Sequence, residues 1–400
     1  MLAAMTLAAS GCAGKSTMGG QTSHPDGSAD VATSAPDVAT SAPDVAPDQS
    51  TTEDAPVVSL VMDAAPHEPV AFDGGTCPTV APYDDTDQGL IDKCTVPLAA
   101  VVGNSLRSAL SADGKTWNHA VYNPGAGADP NESSHRDVII AKGLIVIVGD
   151  GGILVSFDGG NTFTVSRAGR FHDAGLAYFQ GAIWALTNLG TFSTTDGKTW
   201  QEFLPTATLP GGISGDFPAN ASIAVSPSKL VAISWRTNKW RVFDGTTWKE
   251  TAFGDAYGSI AKTAFGNSHF LVTGDGCCDK AMYAGLRATS TDGSTWNLLT
   301  NQSPGSASYH FGDVLWDGTR FFATATQYEK TTLVSTDGLT WTPRATNQAV
   351  GPTAFISGTY VGTQDNKIFS SPDGVTWTLN YTGPGDTAVF VRLAAGRVLR

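Results

Sequence analysis

One short motif recurs seven times between residues 113 and 377, and a chain that repeats one turn at near-constant spacing has few folds open to it. Six copies are Asp113-Gly-Lys-Thr-Trp117, Asp196-Gly-Lys-Thr-Trp200, Asp244-Gly-Thr-Thr-Trp248, Asp292-Gly-Ser-Thr-Trp296, Asp337-Gly-Leu-Thr-Trp341 and Asp373-Gly-Val-Thr-Trp377. The seventh carries one extra residue, Ser156-Phe-Asp158-Gly-Gly-Asn-Thr162-Phe163. The closing aromatics follow one another at intervals of 46, 37, 48, 48, 45 and 36 residues. Asp and Gly make a tight turn, because the carboxylate accepts turn amides and Gly takes positive φ. Thr and Trp then open the next strand, where β-branched and aromatic residues are favoured. The Trp is placed to lie between neighbouring sheets and bury a large apolar area.

Short strand-like runs precede each motif. Leu144–Val148 is followed by Ile153–Val155, and Phe321–Thr324 by Thr332–Val334. A further run starts each repeat, such as Val138–Ile140 or Gly175–Tyr178. Four strands per ~45 residues, joined by Gly-rich turns, predict a β-propeller blade. The expected fold is therefore all-β: a seven-bladed β-propeller of four-stranded antiparallel blades over residues 77–400. The first repeat has no first strand of its own, since Leu98–Val102 leads directly into the next run. The chain ends in Thr387–Leu393, an orphan strand that is expected to pair into the first blade and close the ring, removing exposed edges.

The motif resembles the Asp-box, or bacterial neuraminidase repeat, Ser-x-Asp-x-Gly-x-Thr-Trp/Phe. Ser156–Phe163 fits it in full, and five of the shorter copies keep a hydroxyl two residues before the Asp (Ser111, Thr194, Ser290, Ser335, Ser371). The copy at Asp244 has Val242 there and diverges most. The resemblance implies a sialidase-like propeller in which Asp113, Asp158, Asp196, Asp244, Asp292, Asp337 and Asp373 sit in the turn between third and fourth strands. There they serve structure, not chemistry, so no metal or other cofactor is expected from them.

The first 76 residues have another character. Met1–Cys12 is a short apolar run ending Ala-Ser-Gly-Cys, which resembles the end of a bacterial lipoprotein signal with Cys12 as the lipidated residue. Residues 13–76 hold the heptad Asp-Val-Ala-Thr-Ser-Ala-Pro twice in succession and a single aromatic, Phe72. Such a stretch buries too little apolar surface to offset its ordering entropy and reads as a disordered tether. Ten of the 37 acidic residues lie in it against one basic residue, Lys15, so it carries −9 of the net charge of −13. The remaining 27 acidic and 23 basic residues leave the propeller at −4. A weakly acidic ring is a poor binder of nucleic acid. These readings together predict an exported, monomeric bacterial lipoprotein, facing the periplasm or cell surface, whose only membrane contact is its N-terminal lipid.

With Cys12 set aside, four cysteines remain in a chain read as exported, where disulfides form. Cys77 with Cys94 is the favoured pair of three connectivities; Cys277 and Cys278 are adjacent, and stand either as a vicinal bridge or as two thiols in a loop.

The face opposite the Asp turns carries the inter-blade loops and the turns between second and third strands, where the repeats differ most. Three inter-blade loops end with His close to Asp: His135-Arg-Asp137, His172-Asp173 and His310-Phe-Gly-Asp313. First strands line a propeller's channel, so His135, Asp137, His172, Asp173, His310 and Asp313 are the candidate ligand-binding set, suited to a divalent cation or sugar hydroxyls. The competing reading is that each His or Asp caps its own loop. Trp184, Trp235, Trp240, Trp316, Tyr257 and Tyr309 are the aromatics outside the motif that a lectin surface would use, or that fill the core.

Resemblance to sialidases implies a glycoside hydrolase with an arginine triad and an Arg-Ile-Pro motif. No Arg-Ile-Pro occurs, and Glu is confined in the propeller to Glu132, Glu202, Glu250 and Glu329. Asp-box propellers also include non-enzymatic members, among them a photosystem II assembly factor and sorting-receptor ectodomains. The sequence thus favours a binding or scaffold module for a glycan or protein partner, with glycoside hydrolysis as the alternative.

Overall fold

The computed structural model describes residues 57–59, 71–72, 75–78, 80–104, 107–121, 134–171, 174–205, 222–234, 239–252, 258–276, 285–298, 311–325, 330–383 and 389–399. Cys12, His172, Asp173, Cys277, Cys278, His310, Trp235, Tyr257 and Tyr309 lie outside them. All described residues belong to the second of the chain's two units, Asp54–Arg400.

Seven four-stranded antiparallel blades form a ring. Blades 2 to 7 each take four consecutive strands; in blade 2 these are His135–Ala141, Leu144–Gly149, Gly152–Ser156 and Thr162–Arg167. The inner strands of blades 3 to 7 are Ala174–Phe179, Ser222–Val225, Gly258–Gly266, Phe311–Trp316 and Thr353–Ile356. Blade 1 is assembled from both ends of the propeller: Phe390–Leu399 is its inner strand, followed by Thr95–Gly103, Arg107–Ser111 and Asn118–Val121. Each inner strand contacts the next all the way round. The closure expected from the sequence is thus present. Its strand runs ten residues, to Leu399, rather than stopping at Leu393, because Thr95–Leu98 extends the partner edge that Gly396–Leu399 covers.

The core lies between blades. Seven apolar clusters each join two neighbours, and each holds one motif aromatic. Phe163 packs with Leu98 and Leu110 of blade 1, and Trp117 with Ile356, Val361 and Ile368 of blade 7. Trp377 closes on Phe322 of blade 6, and Trp341 on Leu271 of blade 5. Middle strands have apolar neighbours on both faces, so they read as unbroken apolar runs; all of Leu144–Gly149 and Gly152–Ser156 is buried.

The Asp turns lie between third and fourth strands in every blade. In blade 6, Asp337 Oδ1 accepts the amides of Leu339 and Thr340 (both 2.8 Å) and the Ser335 hydroxyl (2.9 Å), whose oxygen accepts the Gly338 amide (2.8 Å). Gly338 sits at φ +72°, the left-handed region the turn demands. The other turns repeat this scheme with small changes. At Asp158 the extra residue passes the amide bond on to Thr162 (2.9 Å). At Asp244 no hydroxyl stands two residues back, and Thr246 Oγ1 donates to the carboxylate instead (2.8 Å).

Two N-terminal segments dress the ring. A disulfide joins Cys77 to Cys94, the pair favoured from the sequence. The short helix Gln88–Cys94, capped by Asp87 Oδ1 on the Leu90 amide, packs with Tyr83 and Leu399. The amides of Ala81 and Tyr83 bond Phe157 O and Lys142 O of blade 2, at the end of the ring where the Asp turns lie. Within the stretch read as a tether, Val57–Ser59 adds a fifth strand to blade 2, pairing with Thr162–Thr164. Val57–Met62 is the most apolar run of that stretch, and Thr162–Arg167 is the longest fourth strand among the described residues, an edge that needs cover. Phe72 and Gly75 pair in a further two-stranded ribbon.

Candidate functional site: the central channel

The open edges of the inner strands face the ring axis, where strand amides have no sheet partner. Side chains of alternate blades supply the acceptors. Asp137 Oδ2 of blade 2 accepts the Leu176 amide of blade 3 (2.7 Å). The Ser222 hydroxyl of blade 4 accepts the Thr263 amide of blade 5 (2.7 Å). Asp313 Oδ2 of blade 6 accepts both the amide and the hydroxyl of Thr353 in blade 7 (2.6 and 3.1 Å). Each bond staples one blade to the next.

These residues line a cavity of about 190 Å³ to which all seven blades contribute. Its wall holds four charges: Asp137, Lys262, Asp313 and Arg392. They sit as two loose pairs, Arg392 Nε to Asp137 Oδ1 and Lys262 Nζ to Asp313 Oδ1, both at 3.9 Å. Burial lowers the Lys262 ammonium to about 8, with Arg392 pushing the same way and Asp313 and Asp137 opposing. Burial also raises the Asp137 carboxyl, against the pull of Arg392 and of the Leu176 and Val138 amides.

Each of the four charged residues follows a β-bulge in its inner strand. The ladder slips between His135 and Asp137, Ile260 and Lys262, Phe311 and Asp313, and Phe390 and Arg392. The inner pairs of blades 3, 4 and 7, which carry no charge on the cavity wall, run without a slip. An extra residue re-aims the next side chains along the strand and breaks strict alternation. In blades 1 and 2 the bulge is matched on the second strand by Gly103 and Gly149. A Cβ on either would stand 2.2 Å from a backbone carbonyl, Val389 O or Ser134 O.

Of the six sequence candidates, the structure brings Asp137 and Asp313 together on the cavity wall. His135 begins its strand one bulge earlier, is buried, and is not part of that wall. Asp137 accepts one local amide, that of Val138, and both carboxylates also accept an amide from the next blade. Lys262, Arg392, Ser222 and Thr353 were not singled out in the sequence. The signal that finds them is positional: aligned by the turn that ends each inner strand, Ser222 and Lys262 stand in register with Asp137 and Asp313, and Thr353 stands one residue later, level with Leu176 and Thr263; Arg392 holds the same place after its bulge. Trp184 and Trp240 are core residues, and Trp316 packs against the cluster between blades 5 and 6. Among the described residues, no group of three His, Cys, Asp or Glu is placed to hold a metal, and no helix is long and apolar enough to cross a membrane.

No protein-family model and no curated protein matches the sequence. Among solved structures, this chain is similar to "YCF48 bound to D1 peptide" (16% identity, 86% of this chain and 98% of that chain, TM-score 0.48). It is also similar to streptogramin B lyase (9%, 86% and 97%, TM-score 0.48). A third is a functionally unknown protein from Desulfotomaculum acetoxidans (12%, 74% and 99%, TM-score 0.49). At such identities and scores these likenesses bear on neither family nor function.

Proposed function

We propose that this protein is a binding module: a propeller on an acidic linker that takes a protein or glycan ligand at the face where the inner strands begin. The observation that carries this reading is the channel wall, where four bulged strands gather Asp137, Lys262, Asp313 and Arg392 near the starts of their strands around one cavity. Bulges are a known device for aiming side chains beside functional sites. The segments between blades, which lead into the starts of the inner strands, and the turns between second and third strands are the parts in which the seven repeats differ most in sequence. The Cys77–Cys94 disulfide supports the further reading of an exported chain; lipidation at Cys12 rests on the Ala-Ser-Gly-Cys sequence alone.

One observation favours the alternative of glycoside hydrolysis: two carboxylates share a cavity, and burial raises one of them, Asp137. Against it, both carboxylates already accept amides from the neighbouring blade, whereas the reaction needs one free base or nucleophile and one proton donor at the bond. A glycan array run beside a panel of fluorogenic glycosides separates the two. Retention without turnover supports the binder, turnover that disappears in Asp137→Asn and Asp313→Asn supports the hydrolase, and silence in both directs the search to a protein ligand.

A further inference from the structure

We infer that the channel cavity is an oxyanion site, in which Lys262 and Arg392 receive a carboxylate or phosphate group of the ligand. The inference rests on the reading of this mouth as the ligand face, and its physical basis is the balance of donors and acceptors on the cavity wall.

Most of the acceptors are taken. Asp137 uses Oδ2 on the Leu176 amide and Oδ1 on the Val138 amide (3.0 Å), and Asp313 uses Oδ2 on Thr353, which leaves its Oδ1 as the one open carboxylate oxygen, 3.9 Å from Lys262 Nζ. The Ser222 and Thr263 hydroxyls bond one another at 3.0 Å. The donors are not. Lys262 Nζ is 3.9 Å from Asp313 Oδ1, beyond hydrogen-bond reach, and donates to nothing among the described residues. Arg392 spends Nη1 on Val391 O (2.9 Å), while Nε stands off Asp137 at 3.9 Å and Nη2 has no acceptor among the described residues. The cavity is therefore neutral by formal charge but rich in unspent N–H groups on two cations.

The two cations also repel each other. Arg392 helps to depress Lys262, so an anion between them relieves that repulsion and satisfies the open donors together. A volume of about 190 Å³ admits a group of carboxylate or phosphate size with its first attached atoms, not a whole macromolecule. The cavity thus reads an acidic group carried by the ligand.

The groups facing Lys262 are Asp313 of blade 6, Asp137 of blade 2 and Arg392 of blade 1. With the Lys262 ammonium lowered by burial to about 8, it loses its charge as pH rises from 7 to 9.5, so binding must weaken across that range. The test is calorimetric titration of the full chain with sodium acetate and, separately, inorganic phosphate, at pH 7.0 and 9.5. At least one probe is expected to bind with one site per chain, at least tenfold more weakly at pH 9.5, with binding lost in Lys262→Met. Saturation by acetate alone identifies a carboxylate site, and by phosphate alone a phosphate site. No heat from either probe, affinity indifferent to pH, or full binding by Lys262→Met overturns the inference. Should Lys262→Met fail to fold, the same question is answered on the wild-type chain by following the Lys262 side-chain resonance through its titration, assigned with Lys262→Arg. Its midpoint, about 8 without ligand, must move up in the presence of the binding probe; an unmoved midpoint contradicts the site.

Discussion

The outer turns and the central channel of this ring are built from the same repeat and both rely on aspartate, yet they use it in opposite ways. At the Asp turns, seven carboxylates stand in one position and make nearly the same bonds, each folding its own turn: Asp337 bonds Ser335, Leu339 and Thr340, none more than three residues away. In the channel, Asp137 and Asp313 stand in only two blades of seven and bond across 39 and 40 residues to the next blade. At Asp113, Asp196, Asp244, Asp292, Asp337 and Asp373 the turn's hydrogen bonds hold the carboxyl below its usual range. Burial alone would raise Asp113, but the Thr116 and Lys115 amides and two hydroxyls bring it down to about 2. The stability such a group adds is complete above its ordinary value of 3.8 and is lost as pH falls toward 2. The channel carboxylate Asp137 is pushed the other way, by burial. A position filled alike in every repeat serves the repeat; a position filled differently in each is free to serve a ligand.

That contrast can be broken or sharpened by substitution. The largest effect is expected from deleting residues 386–400, which removes the inner strand of blade 1 and bares the Thr95–Gly103 edge. Cooperative unfolding should be lost, and an unchanged melting temperature would contradict closure by this strand. Next comes Trp377→Ala, which empties a site 4% exposed between blades 6 and 7 and should cost ~3–5 kcal/mol, read from denaturant midpoints, without touching the channel. Gly149→Ala should cost ~1–3 kcal/mol through the clash with Ser134 O. Because that contact holds the bulge before Asp137, it should also disturb anion binding, which Trp377→Ala should leave intact. The smallest effect runs in the favourable direction: Val242→Thr supplies the hydroxyl that blade 4 lacks, as Thr194 does in blade 3 through Asp196 Oδ1 (2.9 Å) and the Gly197 amide (2.9 Å). It should add ~0.5–1 kcal/mol; a loss of stability would show that the apolar contact of Val242 with blade 5 outweighs the bond.

The same contrast explains what could be read from the residues alone. Blade number, the place of the Asp turns, the Trp between sheets, ring closure and the Cys77–Cys94 bridge were legible because each depends on local chemistry or on repetition. Asp137 and Asp313 were legible as charged residues at the starts of inner strands. Lys262 and Arg392 were not, because what places them on the cavity wall is a one-residue slip in each strand, and a slip leaves no pattern in a single repeat. The same slip sets His135 apart: two residues from Asp137 in sequence, it lies across the bulge from it and off the cavity wall. The strand at Val57–Ser59 was hidden inside a stretch whose composition argues for no structure at all.

The division of labour between turns and channel is tested most directly by one side-by-side titration with the oxyanion that the wild-type chain binds, on wild type, Asp337→Ala and Lys262→Met, with melting temperatures recorded for each. The account predicts that Asp337→Ala melts lower yet binds like wild type, and that Lys262→Met stays folded at pH 7 yet does not bind. Binding lost in Asp337→Ala, or retained in a folded Lys262→Met, would contradict it.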